Sequence, residues 1–142
     1  MFDELEKYRS NGHFFFTKNA ELETVCNAPN DGIGIYVVYE LKNGQINLVY
    51  IGSSRKMEQS GTKNARMAGI GDEIVNGNHF GGPRKQTWKQ KLIDEKIDAL
   101  DIYWYETFDR NNADIPSYVK GLILQRYFEV HNHLPEWNNE GF

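Results

Sequence analysis

Two β-rich runs joined by a tight turn decide the fold: IGIYVVYEL at residues 33–41 and INLVYIG at residues 46–52. Between them lies KNGQ at residues 42–45, and its Asn43-Gly44 step is the strongest short-range signal for a β-hairpin. Both residues tolerate the positive φ angles that a two-residue turn requires. The sequence therefore predicts an antiparallel hairpin over residues 33–52.

The rest of the chain predicts helices and one further strand around this hairpin. Ala99–Phe108 contains Tyr103-Trp104-Tyr105 and predicts a third strand, whereas His13–Phe16 is read as either a buried strand or an anchor. Helical segments are predicted at Asn19–Cys26, Asp72–Asn76, Thr87–Ile97 and Asp114–His131. The expected fold is α+β, with a small, mainly antiparallel three-stranded sheet flanked by helices.

Two of these helices carry more specific expectations. In Thr87–Ile97, one face is predicted to hold four apolar residues: Trp88, Leu92, Ile93 and Ile97. The last helix is expected to open with Asp114 as its capping acid and Pro116 in its first turn.

Two segments are predicted to be irregular. Phe80-Gly81-Gly82-Pro83 is read as a break, and Ser54–Ala68 as a long loop.

Composition excludes several protein classes. The 142 residues are 39% hydrophobic and 25% charged, which fits one domain with its own core and excludes a disordered chain. The single cysteine, Cys26, excludes a disulfide framework and a cysteine-based zinc site. The sequence has no long apolar run and an acidic N-terminal stretch, so we expect no membrane span and a cytoplasmic location.

Charge is unevenly distributed along the chain. The net charge is −4, yet residues 53–91 contain eight basic and only three acidic side chains. An acidic protein with a basic segment is a plausible binder of one polyanionic site. The alternative is a solvated, lysine-rich loop and helix, and charge alone does not choose between them.

The hairpin carries two triplets, Gly34-Ile35-Tyr36 on its first strand and Tyr50-Ile51-Gly52 on its second. Together with the ending Pro135-Glu136-Trp137-Asn138, this pattern resembles the GIY-YIG nuclease family, and in particular its small restriction-endonuclease members. The resemblance covers residues 32–138 of a single domain and leaves residues 1–31 as an N-terminal extension.

This resemblance implies hydrolysis of a phosphodiester bond in double-stranded DNA, assisted by Mg²⁺ or Mn²⁺. Tyr36 would orient or deprotonate the attacking water, Tyr50 would donate a hydrogen bond to the scissile phosphate, and Asn138 would brace the site. No membrane partner is implied. Because palindromic DNA sites favour two-fold symmetric proteins, a restriction-type enzyme would act as a homodimer.

The sequence departs from the family at two positions. Glu73 stands where the family has an arginine, with Arg66 as the candidate substitute. The family's metal-binding acid aligns with Lys120 or Gln125, neither of which is a carboxylate, and Glu129 is the nearby candidate ligand. The alternatives are therefore an endonuclease, active or inactivated, a catalytically silent DNA-binding module derived from one, and a protein-interaction domain that uses the acidic ends of the chain. A Glu73–Lys120 salt bridge would suit the inactive forms.

The remaining candidates lie in or next to the basic segment. His79 could act as a base or contact a phosphate. Contacts to the DNA backbone are predicted for Gly52, Ser53, Ser54, Arg55, Lys56, Lys63, Arg84, Lys85 and Lys89. Such contacts would give affinity and salt dependence without reading the base sequence.

Overall fold

A computed structural model describes residues 2–55 and 69–138. In chain order its elements are β1 (Asn11–Phe16), α1 (Leu22–Val25), β2 (Gly34–Lys42), β3 (Gln45–Ser53), α2 (Ile70–Asn76), β4 (Asn78–His79), β5 (Gly82–Pro83), α3 (Arg84–Asp94), β6 (Ala99–Glu106) and α4 (Pro116–His131). Single 3₁₀ turns occupy Asp3–Leu5 and Glu136–Asn138. Three of the predicted site residues lie outside the described residues: Lys56, Lys63 and Arg66.

The main sheet has four antiparallel strands in the order β1-β6-β2-β3. The α+β class is confirmed, but the prediction of three strands is wrong, because β1 pairs with β6 from Asn11↔Tyr105 to Phe16↔Leu100. β1 buries Phe14 and Phe16 while Phe15 stays exposed, as the alternation of a strand with one buried face requires. Part of the N-terminal extension is therefore a structural strand of the sheet.

The predicted hairpin is confirmed. β2 and β3 pair antiparallel down to Lys42↔Gln45, with one register shift between Val38 and Tyr39. Asn43 and Gly44 form the turn with φ angles of 53° and 73°. Positive φ at both central residues gives the turn whose twist matches that of the flanking strands.

Helices cover both faces of the sheet. One face contributes Tyr36 and Val38 to a core that includes Ile74 of α2 and Trp88 of α3. The opposite face contributes residues to a second cluster with α4, namely Ile35, Val37, Ile51, Val119 and Ile123. Tyr36 consequently faces α2 and α3, whereas α4 lies on the other side of the sheet.

The helix α3 begins and ends earlier than predicted, at Arg84 and Asp94. Trp88 and Leu92 are buried on it as expected, but Ile93 is 52% exposed and is wrongly assigned to the apolar face. The chain leaves the helix through Lys96 with φ of 56°, so Ile97 reaches the core from beyond the helix end.

The start of α4 also differs from the prediction. Ile115, without a side-chain cap, precedes Pro116, so Asp114 is not the capping residue. The carboxylate of Asp114 instead accepts a hydrogen bond from the Tyr8 hydroxyl at 2.6 Å and pairs with Lys7 at 2.7 Å. Among the described helices, none is long and apolar enough to cross a membrane.

The predicted break at residues 80–83 forms part of a small second hairpin. β4 and β5 pair through His79↔Gly82, and the turn uses positive φ at Phe80 and Gly81. This hairpin carries His79 into the interior, where the residue is only 5% exposed.

Candidate functional site

The hairpin places the two triplet tyrosines beside each other. Tyr36 of β2 pairs with Gly52 and Val38 pairs with Tyr50, so both rings rise from the same face of adjacent strands. Their ring centroids are 6.0 Å apart. Tyr36 is 1% exposed and Tyr50 is half-buried, so Tyr50 lies on the solvent side of this pair.

Gly52 is required by the position of Tyr36. A Cβ at residue 52 would lie 2.3 Å from Cζ and 2.5 Å from the hydroxyl oxygen of Tyr36. The ring thus crosses β3 through space that only glycine leaves open. Gly52 was predicted to let the DNA backbone approach, but in this structure the phenol ring fills that space.

Arg84 is buried against the tyrosine pair. Its guanidinium carbon lies 5.4 Å from the ring centroid of Tyr36, 5.7 Å from that of Tyr50 and 5.2 Å from that of Trp88. Nη2 donates to the Tyr50 hydroxyl at 3.4 Å, and Nη1 donates to the backbone carbonyl of Glu73 at 2.6 Å. Only 2% of the residue is exposed, so Arg84 is not the surface contact to a DNA backbone that the sequence predicts.

The sequence contains one signal that could have located Arg84. It precedes the core residue Trp88 by four positions on α3, and residues four apart lie on the same helix face. The helix predicted from the sequence starts at Thr87 and does not include Arg84. The structure therefore places an arginine beside the tyrosines, but from a different helix than the family pattern suggests.

The charge of Arg84 is maintained despite its burial. Burial disfavours the guanidinium, but Tyr36, Tyr50 and Glu73 outweigh it and hold the pKa of Arg84 above its ordinary value. Within the described part of the chain, its Nε atom is buried and has no hydrogen-bond partner. The site thus contains a permanent positive charge with one unused donor.

The pKa of Tyr36 lies well above its ordinary value, chiefly because the phenol is buried, and the nearby Arg84 only partly opposes this effect. Tyr36 therefore keeps its proton at neutral pH. A protonated phenol can orient a water molecule through a hydrogen bond. This favours the orienting role of Tyr36 over the alternative in which Tyr36 deprotonates the water.

Glu73 lies between two arginines. Its carboxylate is 3.8 Å from Nη2 of Arg84 and 3.4 Å from Nε of Arg55, which follows β3. Lys120, the partner that the sequence suggested, is half-buried on α4, which packs on the opposite side of the sheet from α2. The negative charge at position 73 is thus balanced by the two arginines on its own side.

His79 is held at both ring nitrogens. Trp88 Nε1 donates to Nδ1 at 3.0 Å, which makes Nε2 the protonated nitrogen that donates to the Trp137 carbonyl at 3.0 Å. Burial lowers the pKa of His79 to about 4. A neutral imidazole with both nitrogens bonded fits a structural role next to Tyr50 better than the predicted base or phosphate contact.

Asn138 joins the C-terminal turn to the second triplet. Its Oδ1 accepts from the backbone N–H of Ile51 at 2.9 Å, and its Nδ2 donates to the carbonyl of the same residue at 3.0 Å. The side chain is buried. These two bonds fix the segment between Tyr50 and Gly52 to the C-terminal turn, and the role of Asn138 in a catalytic site stays a prediction.

The other predicted DNA contacts have varied surroundings. Ser54 is buried and accepts the backbone N–H of Gly34 at 3.1 Å, while Ser53 pairs with β2. Lys85 and Lys89 form ion pairs at 3.5 and 3.7 Å with acids of the α1 segment, Glu23 and Glu21. Within the described members of this set, Arg55 combines an exposed side chain with an ion pair to Glu73. Glu73 in turn pairs with Arg84 of the tyrosine–arginine site, which comprises Tyr36, Tyr50 and Arg84.

The implied metal does not fit the described residues. On the exposed surface of α4, Glu129 accepts from Gln125 at 3.2 Å and pairs with Arg126 at 3.3 Å. Glu73 beside Arg84 is flanked by guanidinium groups, which compete with a cation for the carboxylate. Across residues 2–55 and 69–138, no group of three His, Cys, Asp or Glu side chains could hold a metal ion.

No family model, no curated protein and no solved structure matches this chain. A permanent cation lies beneath two phenol rings, and a second guanidinium lies at the solvent edge. This arrangement suits a singly charged oxyanion with several acceptor oxygens.

Proposed function

We propose that this protein is an endonuclease of the GIY-YIG type that hydrolyses a phosphodiester bond of double-stranded DNA. The observation that carries the proposal is the position of Arg84, whose guanidinium contacts both triplet tyrosines. It provides the arginine that the resemblance requires and that position 73 lacks. The fold around it, a hairpin with both triplets packed on helices, supports the same function.

The roles follow from the chemistry of phosphoryl transfer. A water oxygen bonds to the phosphorus as the bond to a sugar oxygen breaks, and the phosphoryl oxygens gain negative charge between these events. The proton of the attacking water passes to bulk solvent, from which the leaving sugar oxygen takes one up. Tyr50, on the solvent side, donates a hydrogen bond to one of those oxygens. Arg84 stabilises the added charge from behind Tyr50, and Tyr36 orients the water. Asn138 and His79 hold the strand and rings in place.

The resemblance also implies Mg²⁺ or Mn²⁺, which would supply further positive charge at the phosphate when bound. The described residues do not form a carboxylate site for that ion, so none of the roles above depends on it. A two-fold DNA site would recruit two copies of the chain.

A second candidate is a DNA-binding module without catalysis. The specific observation in its favour is that Glu73, the carboxylate beside the tyrosine–arginine site, is paired with Arg55 and Arg84. Neither Lys120 nor Gln125 can replace the missing acid. Such a protein would keep the phosphate contacts and bind DNA in a salt-dependent way without cutting it.

Nicking of supercoiled plasmid separates the candidates. The protein is incubated with magnesium, with manganese and with EDTA, and a gel shift is run on the same DNA at several salt concentrations. Nicking that is lost in Tyr50→Phe but kept in Tyr118→Phe, an exposed tyrosine of α4, supports the endonuclease. A salt-sensitive gel shift without nicking supports the silent DNA-binding module. If neither a gel shift nor nicking is seen, both candidate functions are wrong.

A further inference from the structure

Glu73 places a carboxylate inside the proposed phosphate site. Its two oxygens approach Arg84 Nη2 at 3.8 Å and Arg55 Nε at 3.4 Å. The residue is 8% exposed, so the charge is largely removed from water and depends on these guanidinium groups. The family pattern has an arginine at this position and not an acid, so the presence of Glu73 needs a physical reason.

Arg84 does not need this carboxylate for its orientation. Nη1 is fixed by the backbone carbonyl of residue 73 at 2.6 Å, a bond that any side chain at that position would keep. The rings of Tyr36, Tyr50 and Trp88 also hold the guanidinium. The Glu73 side chain can therefore change its partners without releasing Arg84.

The two ion pairs of Glu73 are loose. Tight charge-assisted N–H···O bonds are about 2.7–2.9 Å long, and both contacts here are longer. The side chain of Arg55 is 59% exposed, so it can turn towards another anion at little cost. Of the two guanidinium groups that the carboxylate shares, the exposed Arg55 thus remains able to bind a phosphate, while the buried Arg84 acts on that phosphate through its charge.

We infer that Glu73 is an internal competitor of the substrate phosphate: its carboxylate takes up the positive charge of Arg55 and Arg84 until a DNA phosphate binds to Arg55 and draws on the charge of the buried Arg84. This inference rests on the proposed function, because the competing anion is the DNA backbone. Two negative charges a few ångströms apart repel each other, so Glu73 lowers the affinity of the site for DNA. Its neutralisation should strengthen binding.

The test compares two variants that remove the same charge from neighbouring positions. Glu73→Gln removes it between the arginines, while Asp72→Asn removes it one residue away, where the carboxylate accepts a hydrogen bond from the Asn76 side chain of the same helix at 2.7 Å. Fluorescence anisotropy measures binding of a short fluorescein-labelled DNA duplex in EDTA. We expect about tenfold tighter binding for Glu73→Gln and about the wild-type affinity for Asp72→Asn.

Arg55→Gln tests the same inference from the other partner. The variant leaves the largely buried Glu73 carboxylate with Arg84 as a partner, so we expect it to fold with a lower thermal stability. Replacement of Arg55 should weaken duplex binding and reduce the gain from Glu73→Gln in the double variant. A thermal unfolding transition verifies that each variant is folded. If Glu73→Gln fails to fold, unchanged duplex affinity of Arg55→Gln overturns the inference by itself.

The outcomes separate the inference from the proposed function. If the wild type binds the duplex and Glu73→Gln binds no tighter than Asp72→Asn, the inference is wrong and the proposed function stands. If no variant binds the duplex, the proposed function fails, and inorganic pyrophosphate becomes the probe. If Glu73→Gln binds pyrophosphate more tightly than the wild type, the inference that Glu73 competes with a bound anion is kept. If the two bind equally, that inference is wrong.

Discussion

The side chain of Asn138 is hydrogen-bonded to both backbone groups of Ile51, accepting its N–H at 2.9 Å and donating to its carbonyl at 3.0 Å. β3 is an edge strand, so these groups have no neighbouring strand to pair with. The asparagine amide acts as a short substitute for that strand. It fixes the segment between Tyr50 and Gly52 to the C-terminal turn.

Replacement of Asn138 by alanine should destabilise the fold. Both backbone groups of Ile51 would be left buried without partners, and each such group costs about 1–3 kcal/mol. We expect the free energy of unfolding to fall by about 2–4 kcal/mol in urea denaturation. Asn47→Ala, an exposed position on the same strand, is the control and should change it by less than about 0.5 kcal/mol.

Gly52→Ala should disturb the tyrosine pair. The new Cβ would lie 2.3 Å from Tyr36 Cζ, and the fully buried ring cannot move aside without displacing its neighbours. Overpacking of this kind costs about 1–3 kcal/mol. Gly121→Ala, where no atom lies within 4 Å of the added Cβ, should instead stabilise α4 by about 0.5–1 kcal/mol. Equal effects at the two positions in thermal denaturation would refute the steric account.

Arg84→Lys should abolish the proposed activity while keeping the positive charge. A lysine ammonium cannot contact both the Glu73 carbonyl and the Tyr50 hydroxyl in the planar geometry of a guanidinium. Loss of one preorganised electrostatic group costs about 100-fold or more in rate. Plasmid nicking measures the effect, with Arg126→Lys, at an exposed arginine of α4 on the opposite side of the sheet, as the control. Wild-type nicking by Arg84→Lys would contradict the role assigned to Arg84.

His79 should make stability depend on pH. Burial lowers its pKa from 6.5 to about 4, so between these values the unfolded chain binds a proton that the folded protein does not. Stability from the neutral imidazole is present above pH 6.5 and is lost as the pH falls towards 4. Allowing for solvent screening, the loss should be about 2 kcal/mol.

Urea denaturation at pH 7 and pH 5 tests this dependence. The difference in the free energy of unfolding between pH 7 and pH 5 should be smaller in His79→Gln, which has no imidazole to protonate. His133→Gln, at an exposed position, should keep the wild-type difference. If the two variants lose the pH dependence of stability equally, its assignment to His79 is wrong.

Local signals predicted the elements whose causes lie within a few residues. The Asn43-Gly44 turn and the β-rich runs beside it define the hairpin, and the alignment of Tyr36 with Tyr50 follows from its register. The sequence does not distinguish a strand from an anchor at His13–Phe16, because β1 is short and its partner β6 lies far along the chain. Nothing local to residues 11–16 marks that pairing.

The sequence alone determined the α+β class, the hairpin and the proximity of Tyr36 to Tyr50, because turn chemistry and strand alternation act over neighbouring residues. Only the tertiary structure decided that Arg84 is buried beside them and that Glu73 lies between two arginines. Arg84 and Tyr50 are 34 positions apart, and their contact depends on how α3 packs against the sheet. From its sequence, Arg84 is predicted to lie at the surface. In the folded protein it is stabilised in the interior, because aromatic faces, a backbone carbonyl and a carboxylate surround its guanidinium.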